Sequence, residues 1–155
     1  MDTNLRQTIY ETLSEVFETM YFTFLEPLFE TPTQEEIGAT DASYYEATIS
    51  FQGAKSGRFR FYLPQGLARG ITVNFLGVNA TDVNESQVLD TVKETANMAV
   101  GSLLGRVDPG GTMKLGLPRS QATTDFSAAD LLAQPGLFLF NTEHGLFWVV
   151  YDEGE

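Results

Sequence analysis

The chain contains no cysteine and a single histidine. The first absence excludes disulfides, thiolate metal sites, iron–sulfur clusters and cysteine nucleophiles; the second excludes an ordinary multi-histidine zinc site. Basic residues are also scarce: 9 Lys and Arg stand against 21 Asp and Glu, giving a net charge of -12. Such a chain opposes a nucleic-acid backbone or an anionic membrane surface, so no nucleic-acid partner is expected. No apolar run approaches the roughly 18 residues of a membrane span. The opening Met1-Asp2-Thr3-Asn4 lacks a basic region followed by an apolar one, so no membrane insertion and a cytoplasmic location are expected.

What is present suits one folded domain over residues 1–155, since 43% of the residues are apolar and a chain of this length buries one core comfortably. Only the last residues, Asp152 to Glu155, read as loose. From Leu5, the residues Ile9, Leu13, Val16, Phe17, Met20 and Phe24 recur at three- and four-residue steps, predicting an amphipathic helix of about five to six turns. Glu30 to Ala42 has no periodicity and reads as a connecting loop. Ser43 to Gln52 alternates as a strand, with Tyr45, Ala47, Ile49 and Phe51 on one face. Gly53 to Gly57 turns the chain, and Arg58 to Leu63 returns as the second strand of a hairpin.

Pro64 introduces a helix carrying Leu67, Ile71, Phe75 and Leu76. Thr81-Asp82 and Asn84 are the cap candidates for a second long helix, from about Glu85 to Leu104. Met113 to Leu117 reads as a short strand. Gly136 to Asn141 and Leu146 to Tyr151 read as a hairpin around Thr142-Glu143-His144-Gly145. The order of elements implies an α+β domain of two similar halves, in which long helices cover one face of a mainly antiparallel sheet.

On the second long helix, 100° per residue places Asp90, Glu94, Asn97 and Gly101 within a wedge of about 60°. The apolar residues Val88, Leu89, Val92, Ala96, Ala99, Val100, Leu103 and Leu104 occupy most of the other side, so the wedge should face away from the core. A carboxylate and a carboxamide one turn apart can enter another protein's shallow cleft, the acid pairing with a cation and the amide orienting a water. Polar residues on a solvated helix face are also ordinary. Gly101 costs about 1 kcal/mol in a helix relative to alanine, which either a close partner or close internal packing would explain.

The run Asp90-Thr91-Val92-Lys93-Glu94-Thr95-Ala96-Asn97 resembles the Asp/Ser-x-x-x-Glu-x-x-Asn signature of the CheC, CheX and FliY chemotaxis phosphatases, with Pro118 matching the family's downstream proline. Glu11 to Met20 resembles the CheX first helix. The resemblance implies a CheC-like two-layer fold and hydrolysis of the aspartyl phosphate of a CheY-like response regulator. Glu94 would pair with the regulator's lysine and Asn97 would orient the attacking water. Asp90, Met98, Gly101 and Pro118 would contact the partner. No cofactor of the chain's own is implied; Mg2+ would come with the regulator. CheC-like proteins can carry a second motif on the first helix, but here Glu11 is followed by Ser14 and Glu15 by Glu18. One site per chain and a homodimer are the CheX-like arrangement. The alternative is a noncatalytic regulator-binding or flagellar-switch module of the same fold.

Other candidates are weaker. His144 reads as a solvated turn residue, and without a partner His or Asp constellation it supports no serine triad. The glycines from Gly105 to Gly116 lack a Gly-Lys-Ser/Thr core. Arg58, Phe59, Arg60, Phe61 and Tyr62 read as a half-buried strand rather than a nucleic-acid platform.

Overall fold

Asp2 accepts a hydrogen bond from the Asn4 amide and opens α1, Thr3–Tyr21. The computed structural model describes residues 2–38, 43–123 and 125–154. After α1 come β1 (Glu26–Leu28), α2 (Gln34–Gly38), β2 (Tyr44–Gly53), β3 (Gly57–Pro64) and α3 (Gln65–Leu76). A 3₁₀ turn at Ala80–Asp82 leads to α4 (Glu85–Val107), followed by β4 (Met113–Leu115), β5 (Arg119–Thr123), α5 (Ala128–Leu132), β6 (Leu137–Thr142) and β7 (Gly145–Glu153). Both α1 and α4 therefore begin similar successions: long helix, short strand (one after α1, two after α4), short helix, hairpin.

The antiparallel sheet runs β1-β6-β7-β3-β2-β4, with β5 also pairing β2. Each half's hairpin is flanked by the other half's short strand, so the order is two-fold about the β7–β3 junction. One face of the sheet presents Ile49, Phe59, Phe61, Phe147 and Val149 to the inward residues of α1, α3 and α4, among them Phe17, Leu67, Val92 and Val100. Burying each of these side chains contributes roughly 1.5–3 kcal/mol.

The opposite face is not bare. Tyr44, Tyr62, Leu139, Leu146, Trp148 and Val150 form a second cluster with Leu131 of α5, and Ile37 of α2 and Phe126 pack onto it. Phe126 stacks on Tyr44 at 3.8 Å and meets Trp148 edge-on at 5.5 Å. The two-layer expectation thus needs a partial third cover.

Several sequence expectations shift locally. Helix α1 stops at Tyr21 rather than reaching Phe24, which is exposed together with Met20. Within the expected Glu30 to Ala42 loop lies α2; positions 39–42 of that loop are outside the described residues. The expected loose end is instead part of β7, where Asp152 pairs with Arg58 and Arg60 at 3.3 and 2.9 Å; Glu155 is outside the described residues. The same ion pairs place Arg58 and Arg60 on the polar side of a half-buried strand, as expected of it.

Candidate functional site

Helix α4 is fixed at both ends. The Asn84 side chain accepts from the Gln87 amide (2.9 Å) and Gln87 accepts from the Asn84 amide (3.0 Å), a complete capping box. At the other end Arg106 donates to Thr12 of α1 at 3.1 Å and pairs with Glu15. The inward residues Val88, Val92, Ala96, Ala99, Val100, Leu103 and Leu104 are buried, so the opposite stripe is held outward by the packing. Asp90 and Glu94 are exposed, and Asn97 and Gly101 are half-buried. Neither Glu94 nor Asn97 has a hydrogen-bond or ion-pair partner among the described residues. Their polar ends are free to engage another molecule.

The neighbours of the stripe were not visible in sequence. On one side, α1 packs antiparallel to α4, and the Tyr21 hydroxyl meets the Thr95 hydroxyl at 2.6 Å in the interior. Thr95 also donates to the Thr91 carbonyl at 2.7 Å when its proton is directed that way. Burial pushes the Tyr21 phenol up to about 12; the Thr95 hydrogen bond opposes the rise and the negative charge of Glu94 adds to it. The end of α1 therefore lies within the field of Glu94. Asn74 of α3 secures the same turn by donating to the Tyr21 carbonyl at 2.7 Å.

On the other side runs the β4–β5 edge. Ser120 donates to the Leu89 carbonyl at 2.8 Å. Pro118 is half-buried and shares with Lys93, Glu46, Thr48, Arg119 and Gln121 a concavity of about 470 Å³. Pro118 thus borders the stripe beside Lys93. Met98 is half-buried and packs against the main core, which gives it a structural duty besides any contact with a partner.

Gly101 resolves one alternative. A methyl group there would meet only Leu115 Cδ2, at the ordinary contact distance of 3.7 Å, so internal packing does not demand glycine. His144 is the exposed turn residue expected, with an added contact that the sequence did not show. It is 36% exposed, rests against α3 where Gly66 and Gly70 leave room, and lies 3.4 Å from Glu143. The two glycines that seat the ring are far from it in sequence, so the turn alone could not reveal the contact. Among the described residues no three His, Cys, Asp or Glu side chains come together to hold a metal, and no helix is long and apolar enough to cross a membrane.

The family model for the chemotaxis phosphatase CheX matches residues 45–141. The chain belongs to the CheX family. That match spans β2 through most of β6 and includes the whole α4 stripe. Among solved structures, the chemotaxis protein CheX from Vibrio vulnificus is 21% identical, with 98% of this chain and 97% of that one covered at a TM-score of 0.74. A CheC-like superfamily protein from Shewanella is 18% identical, with 100% of both chains covered and a TM-score of 0.74. The CheX chain of a CheX-CheY-BeF3-Mg2+ complex from Borrelia burgdorferi is 12% identical, covered at 96% and 97% with a TM-score of 0.67. No curated protein matches the chain significantly by sequence. The fold is the CheC-like α+β arrangement expected from the sequence.

Proposed function

We propose that this chain hydrolyses the aspartyl phosphate of a CheY-type response regulator. The observation carrying the reading is that Glu94 and Asn97 stand one turn apart on an outward face of a helix secured at both ends, their side chains without partners among the described residues. Family membership and the CheY-bound state of the Borrelia CheX support it.

In this mechanism α4 lies across the regulator's acid cleft. Glu94 enters beside the phosphoryl group and pairs with a regulator lysine, which seats the partner. The Asn97 carboxamide, a donor and acceptor but not a base, holds a water in line with the phosphorus. Oxygen of that water bonds to phosphorus as the bond to the aspartyl oxygen breaks. The regulator's carboxylate departs with the electron pair, the water's proton is lost to solvent or phosphate, and inorganic phosphate is released. The chain contributes positioning and electrostatic order rather than a covalent intermediate. The divalent ion would arrive with the regulator. Asp90, Met98, Gly101 and Pro118 would form contact surface, Gly101 allowing close approach of partner backbone. The family resemblance also implies a homodimer, which sedimentation at micromolar concentration would test.

The deciding measurement is the lifetime of phosphorylated CheY with and without the protein. The unsubstituted chain should shorten it, and Asn97→Ala should remove at least about 99% of the acceleration while still binding the regulator. A lifetime unaffected by the unsubstituted protein, with binding intact, would instead establish the noncatalytic adaptor.

A further inference from the structure

The two most exposed large apolar residues of the described chain lie on the segments that border α4 from its two sides: one follows Tyr21, which meets Thr95, and the other precedes Pro118, which shares a concavity with Lys93. Phe22 is 83% exposed and Leu117 is 90% exposed. Each is put there by an irregularity in the backbone.

Phe22 caps α1 in the left-handed conformation, with φ 52°, and its amide and that of Thr23 close the helix on the Glu18 and Phe17 carbonyls at 3.2 and 3.1 Å. It is the only non-glycine described residue with positive φ. Glycine or asparagine ordinarily fills such a cap, because a bulky side chain there is strained. The sequence instead supplies a phenylalanine and leaves its ring in water. The neighbouring Tyr21 ring packs on Phe17 and Phe75, whereas Phe22 joins no aromatic contact among the described residues.

Leu117 owes its exposure to a β-bulge. Leu115 pairs with Phe51, and the Gly116 amide reaches the Ser50 carbonyl at 2.7 Å, but Arg119 rather than Pro118 pairs with Thr48. Leu117 and Pro118 therefore stand together opposite Ile49, one residue too many for the ladder. Bulges of this kind re-aim side chains and occur preferentially beside active sites. This one runs along α4 between Gly101, which faces Leu115, and Leu89, which accepts from Ser120. Its Pro118 shares a concavity with Lys93.

From these positions we propose that Phe22 and Leu117 are apolar anchors that clasp the phosphorylated receiver domain on either side of the Glu94–Asn97 stripe. This rests on the reading of the stripe as the regulator's docking face. The occupant is specified by continuity and by charge. The stripe that the anchors bracket carries Asp90 and Glu94 on a chain of net charge -12, while the partner's reacting group is an anionic phosphoryl. Long-range electrostatics does not favour that encounter. Adhesion then needs apolar burial around the polar centre, the usual anatomy of an interface whose anchors surround or adjoin its specific contacts. The complementary partner is a receiver domain with apolar side chains at the rim of its phosphorylation cleft.

The test uses the full chain and the host's CheY activated with Mg2+ and BeF3−, comparing Phe22→Gly and Leu117→Ser with the unsubstituted protein. Each substitution should raise Kd about tenfold or more, the effect of losing one well-buried apolar side chain. Turnover of phosphorylated CheY at saturation should stay within twofold. Phe22→Gly should melt no lower than the unsubstituted chain, because glycine suits the left-handed cap. Unchanged Kd in both variants would overturn the proposal. So would weakened binding accompanied by a lower Tm or by altered sedimentation, which would assign the residues to folding or to a second copy of the chain. If the unsubstituted protein binds CheY without hydrolysing it and the variants bind more weakly, the anchors stand and the phosphatase reading fails. Absence of any binding by the unsubstituted protein overturns both.

Discussion

Helices α1 and α4 are built on one plan and differ in what they offer outward. Thr8, Glu11, Thr12 and Ser14 have the same spacing in α1 as Thr91, Glu94, Thr95 and Asn97 in α4. Thr12 and Thr95 are both buried, and each donates to the carbonyl of its equivalent preceding threonine, at 2.6 and 2.7 Å. Each is clamped by the far end of the other helix: Arg106 reaches Thr12 and Tyr21 reaches Thr95. The comparison teaches that the scaffold is shared while the carboxamide is not. Ser14 stands where the second half has Asn97.

The strongest way to break the comparison is to remove each glutamate in turn. Glu94→Ala should lower the rate of CheY dephosphorylation by on the order of 10²-fold and weaken binding, whereas Glu11→Ala should leave both within twofold. The measurement is phosphate release under steady-state conditions with a binding titration alongside. Equal losses in the two variants would show that α1 is a second working site.

Alkaline pH separates the two clamps, because only the α4 clamp contains a phenol. The folded-state value of Tyr21, about 12, lies above its ordinary 10. Its contribution is therefore fully present below pH 10 and is lost as pH rises toward 12, by on the order of 2 kcal/mol. Tyr45, Tyr62 and Tyr151 are also raised by burial, so the informative quantity is a difference. Tyr21→Phe should flatten the fall in denaturation midpoint between pH 9 and 11 relative to the unsubstituted chain; an identical slope would refute the assignment.

A smaller contrast is expected from the threonines themselves. Thr95→Val leaves the buried Tyr21 hydroxyl without its partner and should cost about 1–2 kcal/mol. Thr12→Val removes the contact to Arg106, which keeps Glu15 and solvent, and should cost less than about 1 kcal/mol. Thermal melts of the two variants check the order; a reversal would mean that the clamps are energetically alike.

Much of this was legible in the sequence. Periodicity located α1, α3 and α4 because each presents several turns of apolar residues to one core, and alternation located β2, β3, β6 and β7. The strands β1 and β5 and the helices α2 and α5 span three to five residues each, too few to display a period, and they owe their conformations to pairing and packing. The outward stripe was legible from helical geometry alone. Its flanks were not. Tyr21 and Ser120 reach α4 across the fold, and the bulge at Leu117 exists only relative to the register of β2.

The smallest expected effect is also the most discriminating. Ser14→Asn completes a second Glu-x-x-Asn on α1, and a motif sufficient by itself would then double turnover per chain. The surroundings argue against a gain. Gln7 donates to Glu11 at 3.0 Å, so this carboxylate is already engaged. Glu11 and Ser14 lie along a groove of about 930 Å³ walled by Pro27, Phe29 and Pro32 rather than on an open ridge. Where α1 ends in the exposed, left-handed Phe22, α4 continues through Gly105 to Val107 and supplies no matching ring. Turnover per chain should therefore change by less than about 1.5-fold, since positioning rather than the presence of a carboxamide limits the reaction. A twofold rise, abolished again by Glu11→Ala, would show that the helical motif suffices and that the flanks of α4 are dispensable.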